Sequence, residues 1–227
     1  MHNGRHIAEF YGVGALLAFS GGFLDAYTYI SRDGVFANAQ TGNIVLFGLN
    51  LSEGNFLRAL TYLIPIVSFM LGVLVVEMLK AKFNEHPKVH WHQVILMIEM
   101  VVIAAVGFLP DSMNSAANVL VSLTCAMQVE AFRRMNGNPY ATTMCTGNLR
   151  SGTDNLFQFI SGGDKQKLKN ALQYYGIILI FICGAGFGAV MTKALNTRAS
   201  WICLISLCAA LTVLKADEMS EKKGGDV

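Results

Sequence analysis

The sequence predicts an all-α integral membrane protein with six transmembrane helices, arranged as a 3+3 inverted repeat with two re-entrant half-helices. An apolar composition, an internal repeat and a one-sided distribution of basic residues support this prediction. Of the 227 residues, 53% are apolar and 14% are charged, whereas about 25% are charged in an ordinary soluble domain. This balance is typical of a chain that crosses a membrane several times.

The chain repeats itself at an offset of 105 residues. Placing residues 20–51 over residues 125–156 gives six identities in 32 positions. Each copy carries an acid in an apolar stretch, Asp25 or Glu130, and then a Thr-Gly-Asn sequence, at 41–43 or 146–148. A repeat of this length predicts that two units share one architecture.

Six long apolar segments are the predicted spans, although the third and sixth are short of the roughly 20 residues that a membrane-crossing helix needs. They are Ile7–Ile30, Leu57–Leu79, Val94–Leu109, Asn118–Met135, Leu172–Met191 and Ser200–Leu214. Two further pieces, Thr41–Leu51 and Thr146–Ile160, are half that length or are interrupted by polar residues, and we interpret them as half-helices. The repeat units are therefore residues 1–110 and 111–216, followed by a polar cytoplasmic tail at 217–227. Together they form one membrane domain.

The second span aligns with the fifth, so that Gly72 falls over Gly184. Gly184 also opens a Gly-x-x-x-Gly sequence that ends at Gly188. Small residues at this spacing allow two membrane helices to approach closely. We therefore predict that these glycines pack against neighbouring helices.

Basic residues set the orientation. With a cytoplasmic N-terminus and re-entrant half-helices, 13 of the 17 Lys and Arg residues lie on the cytoplasmic side. The exceptions are Arg32, Arg58, Lys193 and Arg198. Cytoplasmic loops of membrane proteins carry this excess of positive charge, and it would be lost if the short segments crossed. Three crossings per unit give the two units opposite orientations and place both termini in the cytoplasm.

The segments before each Thr-Gly-Asn are short, favour extended structure and are bounded by Asp33-Gly34 or by Asn138-Pro139. Helix should therefore begin at Thr41 and Thr146, whose hydroxyls can cap a first turn. The glycine that follows leaves the backbone open to close approach.

A half-helix that begins within the membrane directs its positive end at the protein centre, where polar or anionic groups bind. The predicted substrate-binding residues are Gln40, Thr41, Gly42, Asn43, Gln128, Thr146, Gly147 and Asn148. The alternative is that Thr-Gly-Asn only caps a helix and packs against a neighbour.

Three acids lie in apolar segments: Asp25, Glu130 and Glu99. An ionised acid at membrane depth costs at least ~2.5 kcal/mol, so each should be neutral, paired or facing water. The functional interpretation is proton or cation coupling by Asp25 and Glu130, related by a pseudo-two-fold axis, with Glu99 as a third candidate for proton coupling. In the alternative, the acids are structural and bind backbone amides or arginines at helix ends.

Other site classes find little support in the sequence. It contains no nucleophile elbow, no P-loop and no paired metal-binding helices, so we predict no enzyme, no cofactor and no metal site. A net charge of +2 is too small to indicate nucleic-acid binding. Three histidines (His86, His90 and His92) lie close together, but Pro87 interrupts their register and a solvated loop is the favoured interpretation.

Several motifs resemble the YoaK family of bacterial inner-membrane proteins. They are Gly21-Gly22-Phe23-Leu24-Asp25-Ala26, Val35-Phe36-Ala37-Asn38, Ala126-Met127-Gln128 and both Thr-Gly-Asn elements. The resemblance covers about residues 10–215. It implies a multi-pass protein of the bacterial inner (plasma) membrane and supplies no substrate.

The predicted function is secondary transport of a small polar or anionic solute, with the proton as a candidate coupling ion. The expected partners are the lipid bilayer and the solute, and a homodimer is a candidate assembly. A non-transporting scaffold or assembly protein is the alternative, and a channel is a third interpretation. A polar cavity at the predicted residues would favour transport, whereas filled packing there would favour the scaffold.

Overall fold

The structure is a computed structural model and describes residues 5–83, 91–135, 138–140, 142–143 and 145–225. Within these ranges the regular elements are helices and one short ladder between β1 (Arg134–Met135) and β2 (Asn138–Pro139), and short non-helical segments join them. The helices are α1 (Arg5–Ser31), α2 (Gln40–Ser52), α3 (Phe56–Phe83), α4 (Trp91–Val106), α5 (Asn114–Ala131), α6 (Cys145–Gly162), α7 (Lys165–Leu195) and α8 (Cys203–Gly225). Two 3-10 helices, Asp111–Met113 and Asn196–Ile202, precede α5 and α8. The predicted all-α class is confirmed.

Three stretches of the described residues are long and apolar enough to cross a membrane. They are Tyr11–Ser31, Phe56–Lys82 and Lys165–Ala216, and the last of these covers α7 and most of α8. The helix α4 is a shorter apolar helix. Large apolar side chains on these helices point outward, and Met78 on α3 is 72% exposed. An exposed apolar surface of this extent is typical of helices that face lipid.

Several helix boundaries differ from the predicted segments, and α7 begins at Lys165, seven residues before its predicted segment. The helix α5 runs from Asn114 to Ala131, so it begins and ends four residues before the segment Asn118–Met135, because the chain turns into the β1–β2 ladder after Phe132. The last helix begins at Cys203 because the residues before it form a 3-10 helix. It then continues to Gly225, so most of the polar tail at 217–227 is helical.

Helices of the first half pack mainly on helices of the second half. The helix α1 packs on α7 and α3 packs on α5, while α2 lies on α3 and α6 lies on α7. In addition, α1 contacts α8, and α4 contacts both α5 and α8. If each helix is replaced by its counterpart in the other half (α1 by α5, α2 by α6, α3 by α7, α4 by α8, and the reverse), the same set of contacts results. The two halves therefore share one core.

Glycines allow the closest of these helix pairs to form. A Cβ atom at Gly184 in α7 would collide with the main-chain carbonyl of Phe19 in α1. A Cβ atom at Gly72 in α3 would collide with the carbonyl of Leu123 in α5. The close packing predicted for Gly72 and Gly184 is confirmed, and the two glycines occupy matching interfaces between the halves.

The repeat extends to individual hydrogen bonds. Asn50 in α2 and Asn155 in α6 lie at the 105-residue offset. The side-chain amide of each donates to the main-chain carbonyl four residues earlier, at 2.8 Å in both helices. The aligned residues Tyr62 and Tyr174, on α3 and α7, are both buried.

Arg32 closes the end of the bundle at which α1 and α4 end, and its side chain is fully buried. Its Nη2 donates to the carbonyls of Val106 and Leu109, both at 3.0 Å. Its Nη1 donates to Asn114 Oδ1 and its Nε to the Tyr27 hydroxyl, also at 3.0 Å. The last carbonyls of a helix lack intrahelical donors and carry partial negative charge. Sequence reasoning treated Arg32 only as an external charge, whereas it caps α4.

Candidate functional site

The helices α2 and α6 both begin at the wall of one cavity of about 1040 Å³. At the start of α2, Gln40 and Thr41 line it, and at the start of α6, Thr146 and Gly147 line it. The other lining residues are mostly apolar and include Asp25, Ala26, Tyr29, Ile30, Phe36, Asn38, Ala39, Ile66, Phe69, Met70, Thr143, Cys145, Phe181 and Ala185. The cavity thus joins both copies of the repeat.

The helices α2 and α6 begin close to the predicted residues. The helix α2 begins at Gln40 and α6 begins at Cys145, one residue before the threonine in each copy. The prediction that Thr41 caps α2 is wrong, because the capping position is Ala39 and no side chain caps it. The turn forms earlier because the Gln40 amide donates to the Asn38 carbonyl at 2.8 Å. Thr146 likewise lies within the first turn of α6.

Most of the first main-chain amides of α2 already donate hydrogen bonds to nearby main-chain carbonyls. The Gly42 and Asn43 amides donate to the Ala39 carbonyl at 2.9 and 3.4 Å, and the Gln40 amide is already engaged. In the second copy, the Cys145 amide donates to the Thr143 carbonyl at 3.2 Å, as the repeat requires. An anion would therefore find fewer free donors here than at an uncapped helix start.

Asn43 fastens the segment before α2 to the helix. Its Oδ1 accepts from the Phe36 amide at 3.1 Å, and its Nδ2 donates to the Phe36 carbonyl at 2.7 Å. The same Nδ2 donates to Gln40 Oε1 at 3.0 Å, and Gln40 Nε2 donates to the Ala37 carbonyl at 2.9 Å. Asn43 does not line the cavity. Its equivalent, Asn148, is also buried and also lies off the cavity wall.

The two glycines of the repeat differ. A Cβ atom at Gly42 would lie 2.9 Å from the Phe36 ring, so this glycine is covered by an aromatic side chain. A Cβ atom at Gly147 would meet nothing within 4 Å, and Gly147 lines the cavity. Phe36 itself stacks on Tyr29 with ring centroids 4.7 Å apart. The backbone is therefore open to a ligand in the second copy only.

Asp25 faces the cavity from α1 and is only 5% exposed. Its Oδ1 accepts a hydrogen bond from the Asn38 amide at 2.7 Å. The carboxylate therefore fixes the segment before α2 and places a charged group at the cavity wall.

Glu130 occupies the equivalent position in α5 but has different partners. Its Oε1 accepts from Lys80 Nζ at 2.7 Å and from Arg133 Nη1 at 3.0 Å. Lys80 also pairs with Glu77 at 2.8 Å in the last turns of α3. Glu130 does not line the cavity. Of the three predicted proton-coupling acids (Asp25, Glu130 and Glu99), only Asp25 lines the cavity at the starts of α2 and α6.

Glu99 and Gln128 lie together, away from the cavity wall. With the Gln128 amide nitrogen turned toward the carboxylate, Nε2 donates to Glu99 Oε1 at 2.9 Å. In that orientation Gln128 Oε1 accepts from the Thr142 hydroxyl at 3.2 Å. Both Glu99 and Gln128 are buried. This chain of polar groups connects α4, through α5, to the segment that precedes α6.

Sequence reasoning missed two cavity residues, Asn38 and Thr143, which lie at the 105-residue offset. Each stands three residues before the threonine of Thr-Gly-Asn, and that spacing was the available signal. Asn38 Oδ1 and Thr143 Oγ1 are buried and have no hydrogen-bond partner. Among the described residues, no three His, Cys, Asp or Glu side chains form a metal-binding cluster. His86 and His90 of the predicted histidine group lie outside the described residues.

A sequence model of a family described as a protein of unknown function, DUF1275, matches residues 13–214. The chain belongs to this family. It is 24% identical over 221 residues to the UPF0700 transmembrane protein YoaK of Bacillus subtilis (strain 168), which covers 92% of this chain and 95% of that protein. No solved structure matches the chain. This member of the DUF1275 family is therefore a membrane protein, and the predicted resemblance to the YoaK family is confirmed.

Proposed function

We propose that the protein is a secondary transporter of a small solute that combines an apolar or aromatic body with a polar group. One observation carries the proposal: the starts of both half-helices and Asp25 line a single cavity of about 1040 Å³. Small-molecule sites typically have volumes of about 300–1,000 Å³ and apolar walls with a few polar groups. The proposal includes no catalytic step.

The proposed architecture has six spans, α1, α3, α4, α5, α7 and α8, with α2 and α6 re-entrant. Each helix contact has a counterpart when the two halves are interchanged, and this supports a 3+3 inverted repeat. In such proteins the transport site typically lies at the interface of the repeats. Arg32 and Arg198 fall at one end of the bundle, and Lys80 and Arg133 at the other. The basic excess then places both termini on the cytoplasmic side of a bacterial inner membrane.

The cavity lining favours a polar solute over an anionic one. Three of the first amides of α2 are used by nearby carbonyls, and Asp25 adds a carboxylate to the wall. Aromatic rings, among them Tyr29, Phe69 and Phe181, offer a surface for an apolar body. The coupling ion, for which the proton is one candidate, would bind at Asp25.

A non-transporting scaffold is the second candidate, and a specific observation favours it. Several side chains predicted to bind solute or protons are occupied within the protein. Asn43 holds Phe36, Gln128 joins Glu99 to Thr142, and Glu130 pairs with Lys80. In this interpretation the repeat serves packing, and the cavity holds no transported solute.

Binding and uptake by the purified protein distinguish the two functions. Aromatic amines, aromatic carboxylates and neutral aromatic alcohols would first be screened for a rise in thermal midpoint. The strongest compound would then be tested, radiolabelled, for uptake into proteoliposomes. Gly147→Phe should fill the cavity and abolish uptake, because Gly147 borders open space within it.

Gly186→Phe is the matched control, since Gly186 on α7 is exposed and also borders open space. We expect Gly186→Phe to retain wild-type uptake. A protein that no compound stabilises, or uptake that survives Gly147→Phe, would contradict the proposed transport site and favour the scaffold.

A further inference from the structure

We propose that the protein binds one small, dehydrated monovalent metal cation, of the size of sodium, between Asp25, Asn38 and Thr143. The inference rests on the proposed function in one respect, since it identifies this cation as the coupling ion. Binding of the cation itself can be measured in the absence of any solute.

Two buried oxygen atoms lack a protein partner at this place. Asn38 Oδ1 and Thr143 Oγ1 form no hydrogen bond, and both residues are only 6% exposed. A buried polar atom left unsatisfied costs about 1–3 kcal/mol, so such atoms are rare in folded proteins unless a water or an ion satisfies them. Both residues line the cavity.

Gly21 brings the two side chains to one face of α1. A Cβ atom at Gly21 would collide with the Thr143 methyl group and would lie 3.7 Å from Asn38 Nδ2. Asp25 follows Gly21 by four residues on the same helix, so it lies one turn further along the same face. The Asp25 carboxylate accepts from the Asn38 amide at 2.7 Å, so the negative charge lies beside Asn38.

The repeat holds both side chains in corresponding positions. The Asn38 carbonyl accepts from the Gln40 amide, and the Thr143 carbonyl accepts from the Cys145 amide, at 2.8 and 3.2 Å. The two residues thus lie in non-helical chain, two positions before the first residues of α2 and α6. Non-helical segments of this kind, where they line a cavity within a membrane, are where transporters coordinate sodium ions.

The available atoms select the class of ligand. Oxygen atoms from a carboxylate, an amide and a hydroxyl suit a hard cation, and sulfur or imidazole ligands would be needed for a softer metal. One carboxylate neutralises one positive charge. Glu130 is paired with Lys80 and Arg133, and Glu99 lies off the cavity wall, so neither adds a second negative charge. A divalent ion would leave net positive charge in apolar surroundings.

The test uses the full-length protein purified in detergent, without solute. Thermal midpoints would be measured in NaCl, LiCl or KCl, each against N-methylglucamine chloride at the same concentration. We expect a saturable rise in midpoint with NaCl, and a rise with KCl alone would contradict the proposed size of the ion. Asp25→Asn and Thr143→Val should each weaken the apparent affinity at least tenfold.

Two matched controls leave the proposed site intact. Glu99→Gln removes another buried acid, and Thr28→Val removes another buried hydroxyl, which binds the Leu24 carbonyl in the same helix as Asp25. Both variants should keep the wild-type response. Thr143→Ser keeps a hydroxyl at this position, so its thermal midpoint should rise with the cation as in the wild type. This variant provides a test at Thr143 even if Thr143→Val misfolds.

Direct binding of radiolabelled sodium to the same proteins provides a second readout. The inference is wrong if no metal cation gives a saturable response, or if Thr143→Val lowers the midpoint equally in every salt, as loss of a bound water would. Solute binding without a cation response would contradict this inference and leave the proposed function standing. Cation binding without solute uptake would contradict the proposed function alone.

Discussion

The main-chain amide of Asn38 donates a hydrogen bond of 2.7 Å to Oδ1 of Asp25, and this bond joins the segment before α2 to α1. The equivalent acid in the second half, Glu130, binds Lys80 and Arg133 instead. Residues that match in the repeat therefore have unequal roles. A carboxylate remains at the cavity in the first half only.

We predict that Asp25→Asn abolishes ion-coupled uptake while the protein stays folded. An asparagine oxygen can still accept from the Asn38 amide, so the segment before α2 should keep its position, but the charge is lost. Uptake into proteoliposomes, with and without an ion gradient, measures the effect. Thermal midpoints show whether folding is preserved.

Glu130→Gln should have the opposite profile. Uptake should stay within about twofold of wild type, because Glu130 does not line the cavity. The free energy of unfolding should fall by about 1 kcal/mol, since the ion pair with Lys80 is only partly shielded from solvent. Equal loss of uptake in Asp25→Asn and Glu130→Gln would show that the two acids act as a pair after all.

Arg32→Met should destabilise the protein strongly. The substitution leaves the carbonyls of Val106 and Leu109 without their donor at a buried helix end. Each carbonyl left unsatisfied costs about 1–3 kcal/mol, so we expect a total loss of at least about 2 kcal/mol in thermal or denaturant unfolding. Arg58→Met removes an exposed arginine and should change the stability by less than about 0.5 kcal/mol. Similar losses in both variants would contradict the capping role of Arg32.

Gly184→Leu should prevent α1 from packing on α7. The new side chain would enter the space occupied by the Phe19 carbonyl, and overpacking of this kind costs about 1–3 kcal/mol or more. Gly186→Leu, two residues along the same helix and facing open space, should be tolerated. Thermal midpoints and the yield of monodisperse protein in detergent compare the two variants. A stable Gly184→Leu protein would show that α1 and α7 do not pack as closely at Gly184 as the structure shows.

The proposed orientation can be tested with single cysteines at Ser112 and Lys165, in a protein whose five native cysteines have been replaced. Both positions are exposed. An impermeant thiol reagent added to intact cells should label Ser112→Cys and leave Lys165→Cys unlabelled until the cells are opened. The reverse pattern would contradict the inverted topology.

The sequence alone predicted the elements that depend on local signals. The starts of α2 and α6 were predicted within one residue, because Thr-Gly-Asn and the breakers before it act over a few positions. The partners of Arg32 and Glu130 could not be predicted. Arg32 binds carbonyls more than 70 positions away, and Glu130 binds a lysine 50 positions away. Such contacts arise only when the helices have packed.

The same limit applies to the candidate site. Composition and repeat indicated that Asp25 and the half-helix starts belong together, and the cavity brings them together. Asn43 was expected to face a solute, but its amide binds the backbone of Phe36. An asparagine can serve either purpose, and only the path of the chain before α2 decides between them. Asn38 and Thr143 were overlooked because their residue types differ between the copies.

Because helices of the first half pack on helices of the second half, the order of synthesis affects how the protein assembles. The helix α1 packs on α7, and α3 packs on α5, so the glycine-lined faces of the first half are covered only by helices that the ribosome delivers later. Until Leu195 has been synthesised, α1 lies in the membrane without its main neighbour. Insertion of the early helices must therefore be separable from their assembly. A truncated chain that ends before α7 should be inserted but remain open to degradation.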